Sequence, residues 1–332
     1  MKRFVYLDIV RIVACVLVVV MHAPMQGASG ALQNINYTIA SPCIGLFFMV
    51  SGALLLPTDK GWDFLGKRFS KVLFPALFWT LFYIAANIFI KHQELSLLPK
   101  QLLSIPFSPQ GYTTMWFIYP LIGLYLLTPL ISPYLKTATK KDIQILLFIW
   151  AITLLFPFLT PFLEIKENTE APLYYFAGYV GYFILGYYFK QYNPQLSWFK
   201  IFAIAALALC GLMAVRFFNI GIEFTSSISY LSLLVVMLTV SVFATICKLF
   251  KNTSFSPKTT AVLEKLSNLT FGVYLVHIFF IRYLFFNFME GGLLQILITI
   301  VGALLLSYSF CYLLSFFPFA KYIIGYTSYK RC

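Results

Sequence analysis

The feature that most constrains the fold is a series of apolar segments that recurs along the whole chain of 332 residues. A helix needs about 20 apolar residues to cross a bilayer, and these segments reach that length. We therefore predict an all-α polytopic membrane protein, with residues 1–332 forming one integral-membrane domain of about ten transmembrane helices. The predicted spans are 4–24, 39–57, 72–90, 114–132, 143–163, 172–189, 200–218, 228–247, 268–288 and 293–317. Pro120 and Pro157 fall inside two of these spans and predict kinks or breaks there.

The composition excludes a soluble globular protein. Hydrophobic residues make up 61% of the chain and charged residues 11%, whereas soluble domains average about 45–50% and about 25%. The six cysteines form no CxxC pair and no cluster with metal-ligand spacing, so we predict no metal site and no disulfide framework. The net charge of +13 is not gathered in a basic tail or on one helical face, so we predict no nucleic-acid partner.

The positive charge instead predicts how the chain crosses the membrane. If successive spans cross the membrane in alternating directions, eighteen of the 24 lysines and arginines fall in the loops on the side of the N-terminus and three in the loops on the opposite side. Cytoplasmic loops are the ones enriched in lysine and arginine. We therefore predict that both termini are cytoplasmic.

Three ionisable residues stand in the first apolar segment: Asp8, Arg11 and His22. Such residues are costly inside a bilayer and are functional candidates for that reason. His22 follows Arg11 by eleven residues, which places both on one helical face, about 16 Å apart along the axis. Asp8 precedes Arg11 by three residues, a spacing that predicts an ion pair. The alternative is that this pair is purely structural and that His22 is solvated at the helix end.

The ninth segment holds the second unusual group of polar residues. Thr270, Tyr274 and His277 follow helical spacing and share a face, and His277 falls near the middle of the span. Ser267 or Asn268 is a candidate helix cap. We predict a polar cavity between the first and ninth segments, although a histidine satisfied by a neighbouring helix is the alternative for His277.

Basic and aromatic residues interleave in the loop before the third segment, which contains Lys67, Arg68 and Lys71. Arginine suits the recognition of phosphate, so the loop is a candidate site for a cytoplasmic anionic ligand. The alternative is ordinary positive-inside charge with an interfacial tryptophan, Trp62.

Together these motifs resemble the membrane-bound acyltransferase family 3, which comprises bacterial multi-spanning O-acyltransferases. That family carries a basic residue and a histidine separated by ten residues in its first helix, and Arg11-x10-His22 is similar to this signature. Four further blocks match in order: FFMVSG at 47–52, Lys67-Arg68-x2-Lys71-x3-Pro75, the tryptophan-centred 115–121 with Pro129-Leu130, and 266–277. The sequence departs from many relatives at Thr114-Met115, where they carry a histidine, and at Lys71, where arginine is frequent.

The resemblance implies transfer of an acyl group, first of all acetyl, from cytoplasmic acyl-CoA to a hydroxyl of a cell-surface glycan or lipid-linked sugar. The chain is similar to the stand-alone membrane type, which implies a multi-pass protein of the bacterial cytoplasmic (inner) membrane. The partners are then the lipid bilayer, acyl-CoA (acetyl-CoA) as donor substrate and the sugar acceptor, with no metal. The acceptor's identity, the acyl chain length and homo-oligomer formation stay open.

The resemblance also implies roles for the candidate residues. His22 is the general base, since a neutral imidazole with a pKa of about 6.5 suits that task; a covalent acyl-histidine is equally open. Asp8 orients Arg11, and Arg11 binds the donor. The donor-binding residues are then Arg11, Lys67, Arg68 and Lys71, and the supporting or substrate-positioning residues are Ser51, Trp116, Tyr274 and His277.

A function of another class fits part of the same pattern. A transporter of glycan or lipid-linked sugar, without acyl-transfer chemistry, also needs many helices around a polar interior. Such transporters often contain inverted repeats with matched broken helices, and the two halves of this sequence contain none.

Overall fold

The computed structural model describes residues 3–25, 28–163, 172–218, 230–285 and 292–329, and these parts are helical, without strands. The longer helices are α1 Val5–Met21, α2 Gly30–Ala40, α3 Cys43–Leu55, α4 Asp63–Lys91, α5 Leu98–Ser104, α6 Ile118–Thr137, α7 Lys140–Thr153, α8 Phe156–Leu163, α9 Val180–Tyr192, α10 Trp198–Phe218, α11 Leu233–Phe250, α12 Pro257–Phe279, α13 Leu293–Leu314 and α14 Lys321–Ile324. Short 3₁₀ turns occupy Leu95–Leu97, Thr113–Phe117 and Tyr174–Phe176, and a π-helix at Phe280–Phe285 extends α12.

Eight helical stretches within the described residues are long and apolar enough to cross a membrane. They are Gly30–Leu55, Asp63–Lys91, Thr114–Thr137, Lys140–Leu159, Trp198–Phe217, Leu233–Phe250, Pro257–Phe285 and Leu293–Leu314. The first and sixth predicted spans correspond to α1 and α9, which have 17 and 13 residues. At about 1.5 Å per residue both are shorter than the bilayer's hydrocarbon core of about 30 Å. An all-helical, multi-pass membrane protein is confirmed, and the count of ten stays a prediction.

Several helix boundaries differ from the predicted ones. Helix α2 occupies a stretch that was predicted to be a loop, because its polar residues do not resemble a membrane span. It is an ordinary capped helix, in which the side chain of the N-cap residue Ser29 accepts a hydrogen bond from the Leu32 amide. Helix α4 begins at Asp63 rather than at 72, so the basic, aromatic stretch is itself helical. Helix α12 begins at Pro257 and is capped by Ser256. The predicted cap at Ser267 or Asn268 is therefore wrong, since both residues lie inside α12.

The two proline predictions have different outcomes. Pro157 stands where α7 ends and α8 begins, which is the predicted break. Pro120 lies in the first turn of α6, where a missing amide donor costs little and no kink is needed.

The core is built on α1, α3, α9 and α12. Helices α3 and α9 touch through their backbones, because glycine faces the partner on each side. A Cβ at Gly52 would lie 1.7 Å from the Phe183 carbonyl oxygen, and one at Gly186 would lie 1.8 Å from that of Met49. Close approach at small residues is how helices associate in lipid. Helix α3 also packs against α1, whose core side chains Val10, Ala14 and Cys15 are fully buried.

Basic side chains gather at the end of the bundle where α1 begins, which we call the basic end. Arg3 binds Glu264 at the start of α12. The ammonium groups of Lys190 and Lys251 lie over the rings of Phe4 and Tyr6, at 5.5 and 5.9 Å from the centroids. Loops predicted to share one side of the membrane therefore meet at one end of the bundle.

Candidate functional site

A cavity of about 250 Å³ opens between α1, α3, α4, α6 and α12. We call it the arginine cavity. Among the described residues, three cations border it, Arg11, Arg68 and Lys71, and no carboxylate does. Its other lining residues are Phe47, Ser51, Val72, Phe117, Leu121, Tyr125, Ser267, Asn268, Thr270, Phe271, Tyr274, Gly325 and Tyr326. The cavity thus combines a positive potential with apolar walls, which suits an anionic ligand that carries an apolar end.

The guanidinium of Arg11 points into this cavity with a neutral partner. Its Nη1 atom lies 3.4 Å from the Ser267 hydroxyl oxygen on α12. The predicted ion pair with Asp8 is wrong, because Asp8 binds Arg3 through both carboxylate oxygens, at 2.8 and 2.9 Å. Arg3 precedes α1 and folds back over its first turn, where it also reaches Glu264 at 3.0 Å. The carboxylate of Asp8 is thereby occupied, and the charge of Arg11 stays available to a ligand.

His22 and His277 come together although they lie on different helices. His22 caps the C-terminal end of α1, and His277 is fully buried on α12. Nε2 of His277 lies 3.3 Å from Nδ1 of His22, and the ring centroids are 5.2 Å apart. The prediction was a polar cavity between the first and ninth segments: the arginine cavity lies between these two helices, while His277 itself contacts His22 rather than lining that cavity.

The backbone contacts of the two rings determine which nitrogens carry hydrogens. Nδ1 of His22 lies 2.8 Å from the carbonyl oxygen of Val18, and Nδ1 of His277 lies 2.6 Å from that of Tyr274. Carbonyl oxygens only accept, so each Nδ1 is a donor, and in a neutral ring each Nε2 is then unprotonated. His277 Nε2 thus accepts from His22. Among the described residues, Nε2 of His22 has no hydrogen-bond partner, so its lone pair is available to take a proton.

Tyr274 connects the arginine cavity to the histidine pair. It lines the cavity, and its ring centroid lies 6.0 Å from that of His277. Its hydroxyl donates to the carbonyl oxygen of Thr114, and its ring meets Phe117 edge-on at 5.4 Å. These contacts hold the ring at the boundary between the two parts of the site.

The remaining predicted residues divide into two groups. Ser51 lines the arginine cavity, together with Arg68 and Lys71. Trp116 does not line it: its ring stacks on Tyr230 at 5.7 Å between centroids and meets Tyr179 at 5.8 Å. The side chain of Lys67 lies outside the part of the chain that the structure describes.

Sequence reasoning missed Arg3, Ser267 and Tyr125 as parts of this region. Arg3 looked like a terminal orientation charge, and Ser267 looked like a cap. The spacing of Ser267 to Thr270, Tyr274 and His277 was the available signal, since these four residues repeat at helical intervals of three or four. Tyr125 carries no such signal, because α6 is apolar around it.

The described residues contain no group of three or more histidines, cysteines, aspartates or glutamates that could hold a metal ion. The family model for the acyltransferase domain of acyltransferase family 3 matches residues 4–315. The chain belongs to this family. No curated protein and no solved structure is significantly similar to it.

Two kinds of chemistry lie at different depths along α1 in this acyltransferase. Cations from α1 and α4 border the arginine cavity, where they can bind an anionic group. His22 follows Arg11 by about 16 Å along the helix axis, and its imidazole can accept a proton. Tyr274 lies between these two regions, because it lines the cavity and its ring centroid is 6.0 Å from that of His277.

Proposed function

We propose that this membrane acyltransferase transfers an acyl group, acetyl being the first candidate, from acyl-CoA to a hydroxyl of a cell-surface glycan or lipid-linked sugar. The observation that carries the proposal is the contact between His22 and the buried His277, with 3.3 Å between Nδ1 and Nε2, beyond a cationic cavity. A family of acyltransferases supplies the general reaction. The donor class and the acceptor class are inferred from the chemistry of the site and from the sequence resemblance.

The donor is expected to enter from the basic end. A cavity of about 250 Å³ is smaller than the about 300–1,000 Å³ typical of sites that enclose a whole ligand. It therefore suits the narrow thioester arm of acyl-CoA, while the nucleotide half stays beyond Arg68 and Lys71. Arg11, which the Ser267 hydroxyl orients, donates hydrogen bonds to a carbonyl oxygen of the arm.

The acceptor hydroxyl approaches His22 from the opposite end. Nε2 of His22 takes the hydroxyl proton while the hydroxyl oxygen attacks the thioester carbonyl carbon. The carbon–sulfur bond then breaks, and the leaving thiolate takes the proton from the imidazolium. The products are the acylated sugar and free CoA. His277 positions His22 throughout, because its Nε2 receives the Nδ1 hydrogen.

The test is mass spectrometry of the acceptor after incubation of the purified protein with acetyl-CoA and a panel of sugar and lipid-linked sugar acceptors. Gain of one acetyl group per acceptor supports the proposal. A protein that acetylates none of them, yet moves a labelled lipid-linked sugar across vesicle membranes, contradicts it and favours a transporter.

The direction of entry has its own test. We propose that the basic end faces the cytoplasm of a bacterial inner membrane, since basic loops are retained on that side. Cysteines replacing Lys60 or Lys140 should react with an impermeant maleimide only from the cytoplasmic side, and a cysteine replacing Glu94 only from outside. The parent protein controls for its own cysteines. Labelling of all three positions from one side would contradict the proposed orientation.

A further inference from the structure

An apolar groove runs between α4 and α6 on the side of the molecule that faces lipid. Its volume is about 880 Å³, and apolar side chains of both helices line it. Leu73 and Leu77 on its wall are 42% and 45% exposed, so the groove opens towards the bilayer. Gly66 and Gly123 also line it, and a Cβ at either position would meet no atom within 4 Å. The two glycines therefore leave room along both walls for an elongated ligand.

The groove is long enough to hold a fatty acyl chain over the depth of one leaflet. On α4 it extends from Gly66 to Thr80, a separation of fourteen residues, or about 21 Å of helix rise. Half of a hydrocarbon core of about 30 Å is about 15 Å. A fatty acyl chain that starts at the interface can therefore lie in this groove over the whole depth of its leaflet.

The groove joins a polar pocket at Ser70, which lines both. This second space, which we call the basic pocket, has a volume of about 380 Å³ and is bordered by Lys60, Arg68 and Lys71. Trp62, beside it in the chain, is 60% exposed, as tryptophans at the membrane–water interface often are. The basic pocket therefore lies where lipid phosphates lie.

The acidic residues of the basic pocket leave its charge positive. Asp59 is engaged by Lys136, with 2.6 Å between Oδ1 and Nζ. The hydrogen bond and the charge of Lys136 hold the pKa of the Asp59 carboxyl below its usual range. Asp63 is the other acid on the rim. The three bordering cations and Lys136 together carry more positive charge than the two carboxylates carry negative charge.

We propose that the groove and the basic pocket together form a binding site for one anionic phospholipid of the surrounding bilayer. One acyl chain lies in the groove between α4 and α6, and the phosphate lies in the basic pocket near Lys60 and Lys71. Basic pockets between membrane helices recognise anionic headgroups in this way. The lipid site adjoins the donor site, because Arg68 and Lys71 border both the basic pocket and the arginine cavity, whereas Lys60 borders the basic pocket but not the cavity.

The charge and the length select this occupant. A zwitterionic phospholipid would fill the groove equally well but would gain less from the cations of the basic pocket. A polyprenyl phosphate shares the anionic headgroup, but its single long chain exceeds a groove of about 21 Å. An anionic diacyl lipid matches both parts.

The experiment is native mass spectrometry of the full-length protein released from micelles that contain equal amounts of phosphatidylglycerol and phosphatidylcholine. The parent should retain one phosphatidylglycerol in preference to phosphatidylcholine. Gly123→Trp fills the groove and should abolish this preference. Lys60→Gln should reduce it about fivefold, as expected for one cation near a membrane surface.

Matched variants separate the site from general lipid contact. Leu130→Trp places a tryptophan on the exposed part of α6 outside the groove, and Lys140→Gln removes a basic residue that does not border the pocket. Both should retain phosphatidylglycerol like the parent. Gly66→Leu provides a second groove variant if Gly123→Trp does not fold. Equal retention of both lipids by the parent, or undiminished preference in a folded groove variant, overturns the proposal. A third arm with polyprenyl phosphate overturns the choice of occupant if that lipid displaces phosphatidylglycerol.

Discussion

Nε2 of His277 lies 3.3 Å from Nδ1 of His22, although 255 residues separate the two in sequence. The buried ring is itself held by the carbonyl oxygen of Tyr274, so it cannot turn freely. The single Nδ1 hydrogen of His22 is shared between the carbonyl oxygen of Val18 and Nε2 of His277. The pair therefore keeps Nε2 of His22 unprotonated and directed away from both partners.

Replacing His22 tests the proposed base. His22→Ala should lower acyl transfer by roughly 10²–10⁴-fold, because a positioned general base contributes about that much. Donor affinity should stay close to that of the parent, since the cations of the arginine cavity are untouched. The measurements are mass spectrometry of the acceptor and equilibrium binding of acetyl-CoA. His92→Asn is the matched control, because His92 is exposed at the end of α4 and its left-handed backbone suits asparagine. Undiminished transfer by His22→Ala removes His22 from the mechanism.

Replacing His277 tests a positioning role. His277→Gln keeps a side-chain acceptor for the Nδ1 hydrogen of His22, whereas His277→Ala removes it. We expect kcat to fall more for alanine than for glutamine, with KM for acetyl-CoA nearly constant in both. A role confined to packing predicts a different result: similar losses for both substitutions, accompanied by reduced thermal stability. The split between kcat and KM, measured beside the melting temperature, distinguishes the two.

The helical repeat made part of this site predictable. Regular spacing places Arg11 and His22 on one face of α1, and Thr270, Tyr274 and His277 on one face of α12. The actual contact between His22 and His277 depends on how α1 and α12 pack, which local spacing does not contain. The helix α2 was missed because Gln33, Asn34 and Asn36 make it too polar to resemble a membrane span.

The partner of Asp8 was predicted wrongly for a related reason. The i, i+3 rule applies to residues that are both helical, and it favoured Arg11. Arg3 lies before the helix, where the chain is free to fold back and present its planar guanidinium to both carboxylate oxygens. Helical periodicity predicts which residues share a helix face, but it does not predict contacts made by residues that precede the helix.

Arg68 tests the route of donor entry. Arg68→Ala should weaken acetyl-CoA binding about tenfold at low salt, because an arginine at the mouth of the cavity attracts the donor's phosphates. The difference from the parent should shrink as salt is raised, since exposed charges are screened. Titration calorimetry at two ionic strengths measures both effects. Lys140→Ala, which removes a cation that does not border the cavity, should bind the donor normally. Equal affinity of Arg68→Ala and the parent at low salt contradicts this route.

Gly186 tests the backbone contact between α3 and α9. Gly186→Ala would bring a Cβ to 1.8 Å from the Met49 carbonyl oxygen, so the helices must separate. We expect a marked loss of thermal stability or no folded protein. Gly123→Ala is the control, because a Cβ there meets no atom within 4 Å. Alanine is the better helix former by about 1 kcal/mol, so this control should melt at or above the parent's temperature. Similar melting of both variants would show that α3 and α9 are less closely packed than described.

The pairing of Asp8 can be measured with double-mutant cycles. Asp8→Asn and Arg3→Gln should each destabilise the protein by about 1–3 kcal/mol, since the first removes one of the two acidic partners of Arg3 and the second leaves the Asp8 carboxylate without its partner. The double variant should be little worse than either single, which gives a coupling energy of about 0.5–3 kcal/mol. A second cycle with Asp8→Asn and Arg11→Gln should show a smaller coupling, because Asp8 binds Arg3 and the side-chain partner of Arg11 is Ser267. The free energies of unfolding of the parent and the variants, measured in mixed micelles, give the coupling energy of each cycle. Stronger coupling of Asp8 to Arg11 than to Arg3 would restore the pair expected from helical spacing. Arg11 would then enter the arginine cavity already neutralised, which weakens its proposed role in holding the donor.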